Sequence, residues 1–375
     1  MIAMPDSVLP LRLPVHPHQL EVQEFDSHEL IVDLREAQRY ADDHLPGAVS
    51  VPWSAPVVPT PAENVESTSS SPPATTVDAA PVALPVALES QLSALAPRAS
   101  VLVYCDRGGL DSTLVVNALK QRGYLAELLL GGWPSYRRWV TASIEVLARA
   151  MSFRWVRCPP AGGMSSVLAA LEAHGHQVLP LAALLSQTTF PGISLPGDAT
   201  PSQAAFETRL VDTLRRMDPG RPIWVCEPLW LDARVGLPVP LHDALRQSQA
   251  LRIEASLTDR VGALRSHLEL QSNGTKAPVE SVIRSLQQVI PGDHPVRLNA
   301  PLAWATQDHP QEALVRLLAD AIDPLYQAVS APRTPERETS LSLASLSSDS
   351  AWAALLILPA PWQSSLRADA DQISP

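Results

Sequence analysis

The chain has 375 residues, 46% of them hydrophobic, with 37 prolines. That length exceeds one typical domain, and the proline excess over the usual ~5% implies long stretches outside regular structure. A net charge of -11, with Lys120 and Lys276 as the lysines, argues against a protein held on DNA or RNA chiefly by counterion release, so any RNA contact needs a local arginine surface.

No apolar run reaches the ~18 residues of a membrane span, and the start of the chain lacks a basic-then-apolar leader. No membrane partner and a cytoplasmic location are the expectations. Cys105, Cys158 and Cys226 show no C-x-x-C spacing, so neither a metal centre nor a disulfide framework is expected.

The first predicted strand is Leu30, Ile31, Val32 and Asp33, followed by a helical patch and a turn at Leu45, Pro46, Gly47 and Ala48. Residues 56–98 are rich in Pro, Ala, Ser and Thr and read as a disordered, low-complexity insertion. It interrupts a domain without ending it, because Val101 to Cys105 is another buried strand, leading through a glycine loop to a helix from Ser112 to about Arg122. A second strand–loop–helix begins near Phe153: FRWVRC, PPAGGM, then SSVLAALEAHG. Further strands are expected at 223–226 and 251–254, and a helix at 311–328. Strands alternating with helices indicate an α/β fold with parallel sheets. The expected domains are 1–145, 150–330 and a disordered, low-complexity tail 331–375 in which the apolar patch 351–358 docks weakly on a surface.

Cys105 ends a buried strand, and the loop DRGGLD carries the chain into a helix, so backbone amides and a helix N-terminus converge on the sulfur. That arrangement favours a thiolate or persulfide; the alternative is a small buried hydrophobe at a strand end. Gly108 and Gly109 let donors approach an anion, and Arg107 adds a cation.

These residues resemble the rhodanese family: DLREAQRYADDHLPGAVSVP at 33–52 is similar to its D-x-R and H-[IL]-P-G-A signature, with 105–111 as the active loop. More narrowly, YCDRGG followed by GGWPSYRRWV, PSQAAFE at 201–207, LRIEASLTDRV at 251–261 and LVRLLADAIDPLY at 314–326 resemble the tRNA 2-selenouridine synthase family, over about 26–330. The resemblance implies a rhodanese-like parallel-sheet domain followed by a P-loop NTPase-like domain. It further implies a transferase that replaces the 2-thio group of a wobble uridine in tRNA with selenium. Selenophosphate and geranyl diphosphate are then co-substrates, no cofactor is tightly bound, and the loop cysteine, here Cys105, handles the chalcogen.

The departures fall on charged positions. The family loop C-W-R-G-G-x-R-S carries Asp106 and Asp111 here in place of Trp and Arg, and the carboxylates are expected to raise the thiolate pKa by roughly one to three units and to repel an anionic donor. Asp111 also reads as a helix N-cap. At 158–165, C-P-P-A-G-G-M-S puts Met164 where a P-loop needs Lys, leaving Gly162, Gly163 and Ser165 as backbone donors of a degenerate P-loop. On this reading Met164→Lys restores phosphate affinity. Ala204 replaces another family Lys, while Arg260 is either a phosphate contact or a surface ion pair. His174 and His176, at a helix end, are expected in solvated or dipole-stabilising roles rather than on a metal. Trp133, Tyr136 and Trp139 are expected in packing that joins the two domains, with stacking on a tRNA base as the alternative. Three functions stay open: the synthase activity, sulfur transfer with an inert P-loop domain, and non-catalytic binding on a retained scaffold.

Overall fold

The computed structural model describes residues 27–54, 83–185, 193–194, 200–226, 229–230, 234–271, 278–290, 294–329 and 338–367. The chain divides into two compact units, Met1–Ser143 and Ile144–Pro375. No described helix is long and apolar enough to cross a membrane.

The first unit runs β1 Leu30–Asp33, α1 Ala37–Asp42, β2 Ala48–Ser50, α2 Val86–Leu92, β3 Ser100–Tyr104, α3 Leu110–Gln121, β4 Leu125–Leu128 and into α4 Gly132–Ala150. Its sheet has four strands in the order β2-β1-β3-β4, all parallel. Every residue of β1 is buried, as expected of a strand covered on both faces, which reads as an unbroken apolar run. Val32, Val101, Val103, Val115, Leu119 and Ala126 lie in one core, and Leu88 and Leu92 of α2 join it. Part of the expected insertion is therefore ordered domain: an apolar pair one turn apart gives α2 a face to bury. Of that expectation, residues 56–82 lie outside the described residues.

The second unit continues with β5 Phe153–Arg157, α5 Met164–Ala173, β6 Gln177–Leu179, α6 Leu181–Leu184, β7 Ile193–Ser194, α7 Gln203–Leu214, β8 Ile223–Cys226, β9 Leu229–Trp230, α8 Val239–Gln247 and β10 Gln249–Glu254. Then follow α9 Leu257–Gln271, α10 Pro278–Val289, α11 His294–Arg297, α12 Asn299–Thr306, α13 Pro310–Arg316, a π turn Leu317–Ile322, α14 Asp323–Val329, β11 Glu338–Ser342, α15 Ser348–Leu356 and α16 Ala360–Arg367. The main sheet is parallel in the order β11-β10-β5-β8-β6. Its first strand is central, with β8 and β6 on one side and β10 and β11 on the other, so the chain changes side at β5 and a crevice lies at the carboxyl end of that strand, where ligands of such sheets commonly bind.

The expected disordered tail is the main correction. β11 pairs with β10 along its whole length, Ala250 to Glu254 against Glu338 to Ser342. Leu341, Leu343, Ala351, Leu355, Leu358, Trp362 and Leu366 complete a core with Val156, Trp224 and Leu251. Arg157 donates to Glu338 at 2.6 Å, a pair with both side chains largely buried. Of the apolar patch expected to dock loosely, Ala351, Ala354, Leu355 and Leu358 are buried in this core, while Leu356 and Ile357 stay exposed. A second cluster, with Leu264, Ile283, Leu314 and Leu318 among its members, is formed by the helices of 257–329.

Candidate active site: the cysteine loop of the first unit

A buried network holds the floor of the loop. Arg35 donates to Asp33 Oδ1 and Oδ2 at 3.0–3.1 Å from Nε and at 2.6 Å from Nη2, and from Nη2 again to the Asp43 carbonyl at 2.7 Å. The Tyr104 hydroxyl donates to Asp33 Oδ2 at 2.7 Å and accepts from the Leu45 amide at 3.2 Å. Burial, together with the Asp33 charge, holds the Tyr104 phenol well above its ordinary pKa. The Arg35 guanidinium lies 3.8 Å from the Trp133 ring centroid; Trp133 stacks on Tyr104, meets Tyr136 at a tilt, and Tyr136 in turn stacks on Trp139. These aromatics thus pack around the residue preceding Cys105. The D-x-R pair of the sequence is this buttress, fixing where β3 ends.

From that end the chain turns sharply. Gly108 has φ +60°, and a Cβ on it would lie 2.8 Å from the Gly131 and Gly132 amide nitrogens. A Cβ on Gly132 would lie 2.5 Å from the Gly108 nitrogen. Gly108 and the Gly131–Gly132 pair are therefore in backbone contact, and the Cys105 carbonyl accepts from the Trp133 amide at 3.0 Å. Gly131 and Gly132 belong to the site, although sequence reasoning counted them only towards a resemblance. The signal was present: two adjacent glycines immediately before a helix mark a close backbone approach. Gly109 differs, since a Cβ there meets nothing within 4 Å; it is the N-cap of α3 and contributes its amide.

Cys105 is half-buried. Burial alone pushes its thiol up, but the Ser112 hydroxyl and the amides of Arg107, Gly109 and Gly108 outweigh it, so the pKa lies below the ordinary thiol value. Ser112 Oγ is 3.1 Å from Sγ and fully buried. Sequence reasoning used Ser112 only as a helix start. The expected rise from neighbouring carboxylates is overturned for a geometric reason. Asp106 turns away to Arg39 of α1, accepting from Nη1 at 2.7 Å. Asp111 sits in the first turn of α3 behind the N-cap Gly109, so it is not the cap and instead complements the positive end of the helix dipole. Arg107 is exposed, at the rim of the loop.

In the second unit, the loop between β5 and α5 does not fit a phosphate. Met164 is buried with Cys158, Val167, Leu343 and Leu355. A Cβ on Gly163 would lie 3.0 Å from Leu346 Cδ2 and 3.5 Å from Leu343 Cδ1, so the segment after β11 covers the loop. Ser166 Oγ donates to the Leu346 carbonyl at 2.6 Å. The Gly162 amide is spent on the Pro159 carbonyl at 2.8 Å. Ser165 is exposed. Cys158 is fully buried, and that burial pushes its thiol up to about 12 even with Arg260 and the Met164 amide opposing. Arg260 is neither lid nor surface pair: it is buried, donates to the Pro160 carbonyl at 3.0 Å, and binds both Asp323 oxygens at 2.9 and 2.6 Å. His176 is buried and so lacks the solvated role expected of it, whereas His174 is exposed at the C-cap of α5, its Nδ1 2.8 Å from the Ala170 carbonyl and its ring stacked on Trp352 at 3.6 Å.

Comparison with known proteins covers part of the chain. Residues 17–138 match the Rhodanese-like domain family. The chain is 26% identical over 170 residues to the tRNA 2-selenouridine synthase of Nitrosomonas europaea, covering 44% of this chain and 43% of that protein. It is 29% identical over 168 residues to the synthase of Marinobacter nauticus, 44% of each chain. Identity is 31% over 164 residues with that of Ectopseudomonas mendocina, 42% of each. The chain thus spans less than half the length of the curated relatives it matches. No solved structure matches it. A parallel sheet ending in a cysteine loop matches the Rhodanese-like domain family, and over less than half of its length the chain is distantly similar to the tRNA 2-selenouridine synthases.

Proposed function

We propose that the protein is a sulfur or selenium transferase that carries the chalcogen on Cys105 and acts on 2-thiouridine of tRNA. The observation that carries this reading is the convergence of the Arg107, Gly108 and Gly109 amides and the Ser112 hydroxyl on one sulfur. In loading, the Cys105 thiolate attacks the outer sulfur of a sulfane donor such as thiosulfate. The donor's S–S bond breaks, sulfite leaves with the electron pair, and the remaining negative charge sits on the terminal sulfur of a Cys105 persulfide. The same amides that hold a thiolate can hold that charge. The tRNA assignment rests on the named relatives, and a chain of net charge -11 must meet RNA through a local arginine surface.

A second reading, sulfur transfer without selenouridine chemistry, is favoured by one observation: the loop that a diphosphate co-substrate would need is filled by Met164, Leu343 and Leu346. One experiment separates the two. Cells relying on this protein alone are grown with selenium and their tRNA is digested for 2-selenouridine, while the purified chain is assayed for thiosulfate-to-cyanide transfer. Selenouridine that disappears with Cys105→Ser supports the first reading. Cyanide transfer without selenouridine supports the second, and the absence of both contradicts the proposal.

A further inference from the structure

Ser112 presents a problem of proton accounting. Its hydroxyl has one proton and two neighbours able to accept it, Cys105 Sγ at 3.1 Å and the Gly109 carbonyl at 3.1 Å. The Gly109 carbonyl is already supplied: the Thr113 amide donates to it at 3.2 Å, closing the first turn of α3, and the Thr113 hydroxyl donates at 3.0 Å. A carbonyl oxygen has two lone pairs, so the Ser112 proton is surplus there and leaves at little cost. We propose that the Ser112 hydroxyl proton follows the charge on Cys105 Sγ, resting on the Gly109 carbonyl when the sulfur is neutral and turning to the sulfur when it is a thiolate.

This inference rests on Cys105 being the carrier, and it assigns Ser112 a role in one half of the cycle. During loading Sγ is the nucleophile. Stabilising its charge increases the thiolate fraction but lowers the reactivity of each thiolate, and the two effects partly cancel. During unloading Sγ is the leaving atom. An acceptor attacks the terminal sulfur, the S–S bond breaks, and the pair returns to Sγ just as Ser112 turns to meet it. In the persulfide the charge lies on the outer sulfur, so Sγ attracts the proton less and Ser112 favours the product of unloading. Ser112 therefore accelerates release from Cys105 more than capture.

Two readouts on the purified full chain test this. The first is the pH midpoint of Cys105 alkylation by iodoacetamide, which needs neither tRNA nor a sulfur donor. The second is the rate at which preloaded Cys105 persulfide gives thiocyanate with cyanide, a step in which cyanide takes the terminal sulfur and Sγ leaves as thiolate. Ser112→Ala should move the midpoint up by about one pH unit and slow thiocyanate formation about tenfold, the loss of one charge-assisted hydrogen bond. Ser112→Thr, which keeps the hydroxyl, should restore both. Thr113→Val, at an exposed position that does not touch the sulfur, should move the midpoint part of the way, because the Gly109 carbonyl then reclaims the Ser112 proton. Should Ser112→Ala fail to fold, Thr113→Val decides alone. A midpoint unmoved in the folded variants, or equal losses in Ser112→Ala and Ser112→Thr, overturns the proposal. Should the native chain form no persulfide, the carrier reading fails while the alkylation midpoints still judge Ser112.

Discussion

Replacing Met164 by lysine separates a phosphate site from a filled core. If the loop of the second unit cradled a phosphate, the new ammonium would gain a charge-assisted contact worth ~1.5–3 kcal/mol, a tenfold to hundredfold gain in diphosphate affinity. The structure predicts the opposite. Met164 is 9% exposed and packs with Cys158, Val167 and Leu343, so the ammonium must shed its proton or drag the cover open. Deprotonating an ordinary lysine at pH 7 costs about 4–5 kcal/mol, from roughly 3.4 pH units at 1.36 kcal/mol each, and partial escape of the head group towards water brings the expected destabilisation to about 3–4 kcal/mol. Over a unit of this size that lowers Tm by about 10 °C. The sign with pH is diagnostic. The folded variant holds its lysine pKa below the unfolded value, so the unfolded chain binds more protons and the deficit shrinks as pH rises towards 10. Scanning calorimetry at pH 7 and pH 9.5 measures the deficit, and titration with ATP, GTP and geranyl diphosphate measures binding. A variant as stable as the native chain that binds any of these ligands would refute the reasoning.

Other outcomes follow from the same contacts. Gly108→Ala forces a side chain into a left-handed backbone against the Gly131 and Gly132 amides, costing about 1–2 kcal/mol before relaxation and abolishing rapid Cys105 alkylation; Gly109→Ala, with open space, keeps both. Asp323→Ala leaves the buried Arg260 guanidinium unpaired and should cost about 3 kcal/mol in urea unfolding of the second unit. A chain ending at residue 337 loses Leu341, Leu343, Leu355 and Trp362 from the core and should bind a hydrophobic dye and lose a cooperative thermal transition.

The alternation of strands and helices was legible because parallel strands buried on both faces leave apolar runs: 30–33, 101–105, 153–158, 223–226 and 251–254 all fall on or within one residue of strands. The C-terminal strand was not, since ETSLS carries one buried apolar residue, Leu341, among serines. What makes it a strand is β10 beside it, a partner more than 80 residues away. At the site, Cys105 and the glycines were readable because tight turns restrict residue type. The direction of Asp106 was not. Proximity along the chain suggested repulsion of the sulfur, whereas Arg39, 67 residues earlier, takes the carboxylate. The closure of the second loop was hidden for the same reason, since Leu343 and Leu346 reach it from the far end of the chain.

The central claim is that Cys105, among the chain's three cysteines, is built to carry a chalcogen. Mass spectrometry of the purified chain tests it most directly, after incubation with a sulfane-sulfur donor and, separately, after alkylation across a pH series, folded and in urea. The account predicts one added sulfur on Cys105 and an alkylation midpoint for Cys105 lower in the folded than in the unfolded chain, while Cys158 and Cys226, both buried, react only after unfolding. An unmodified Cys105, or a folded midpoint at or above the unfolded one, contradicts it.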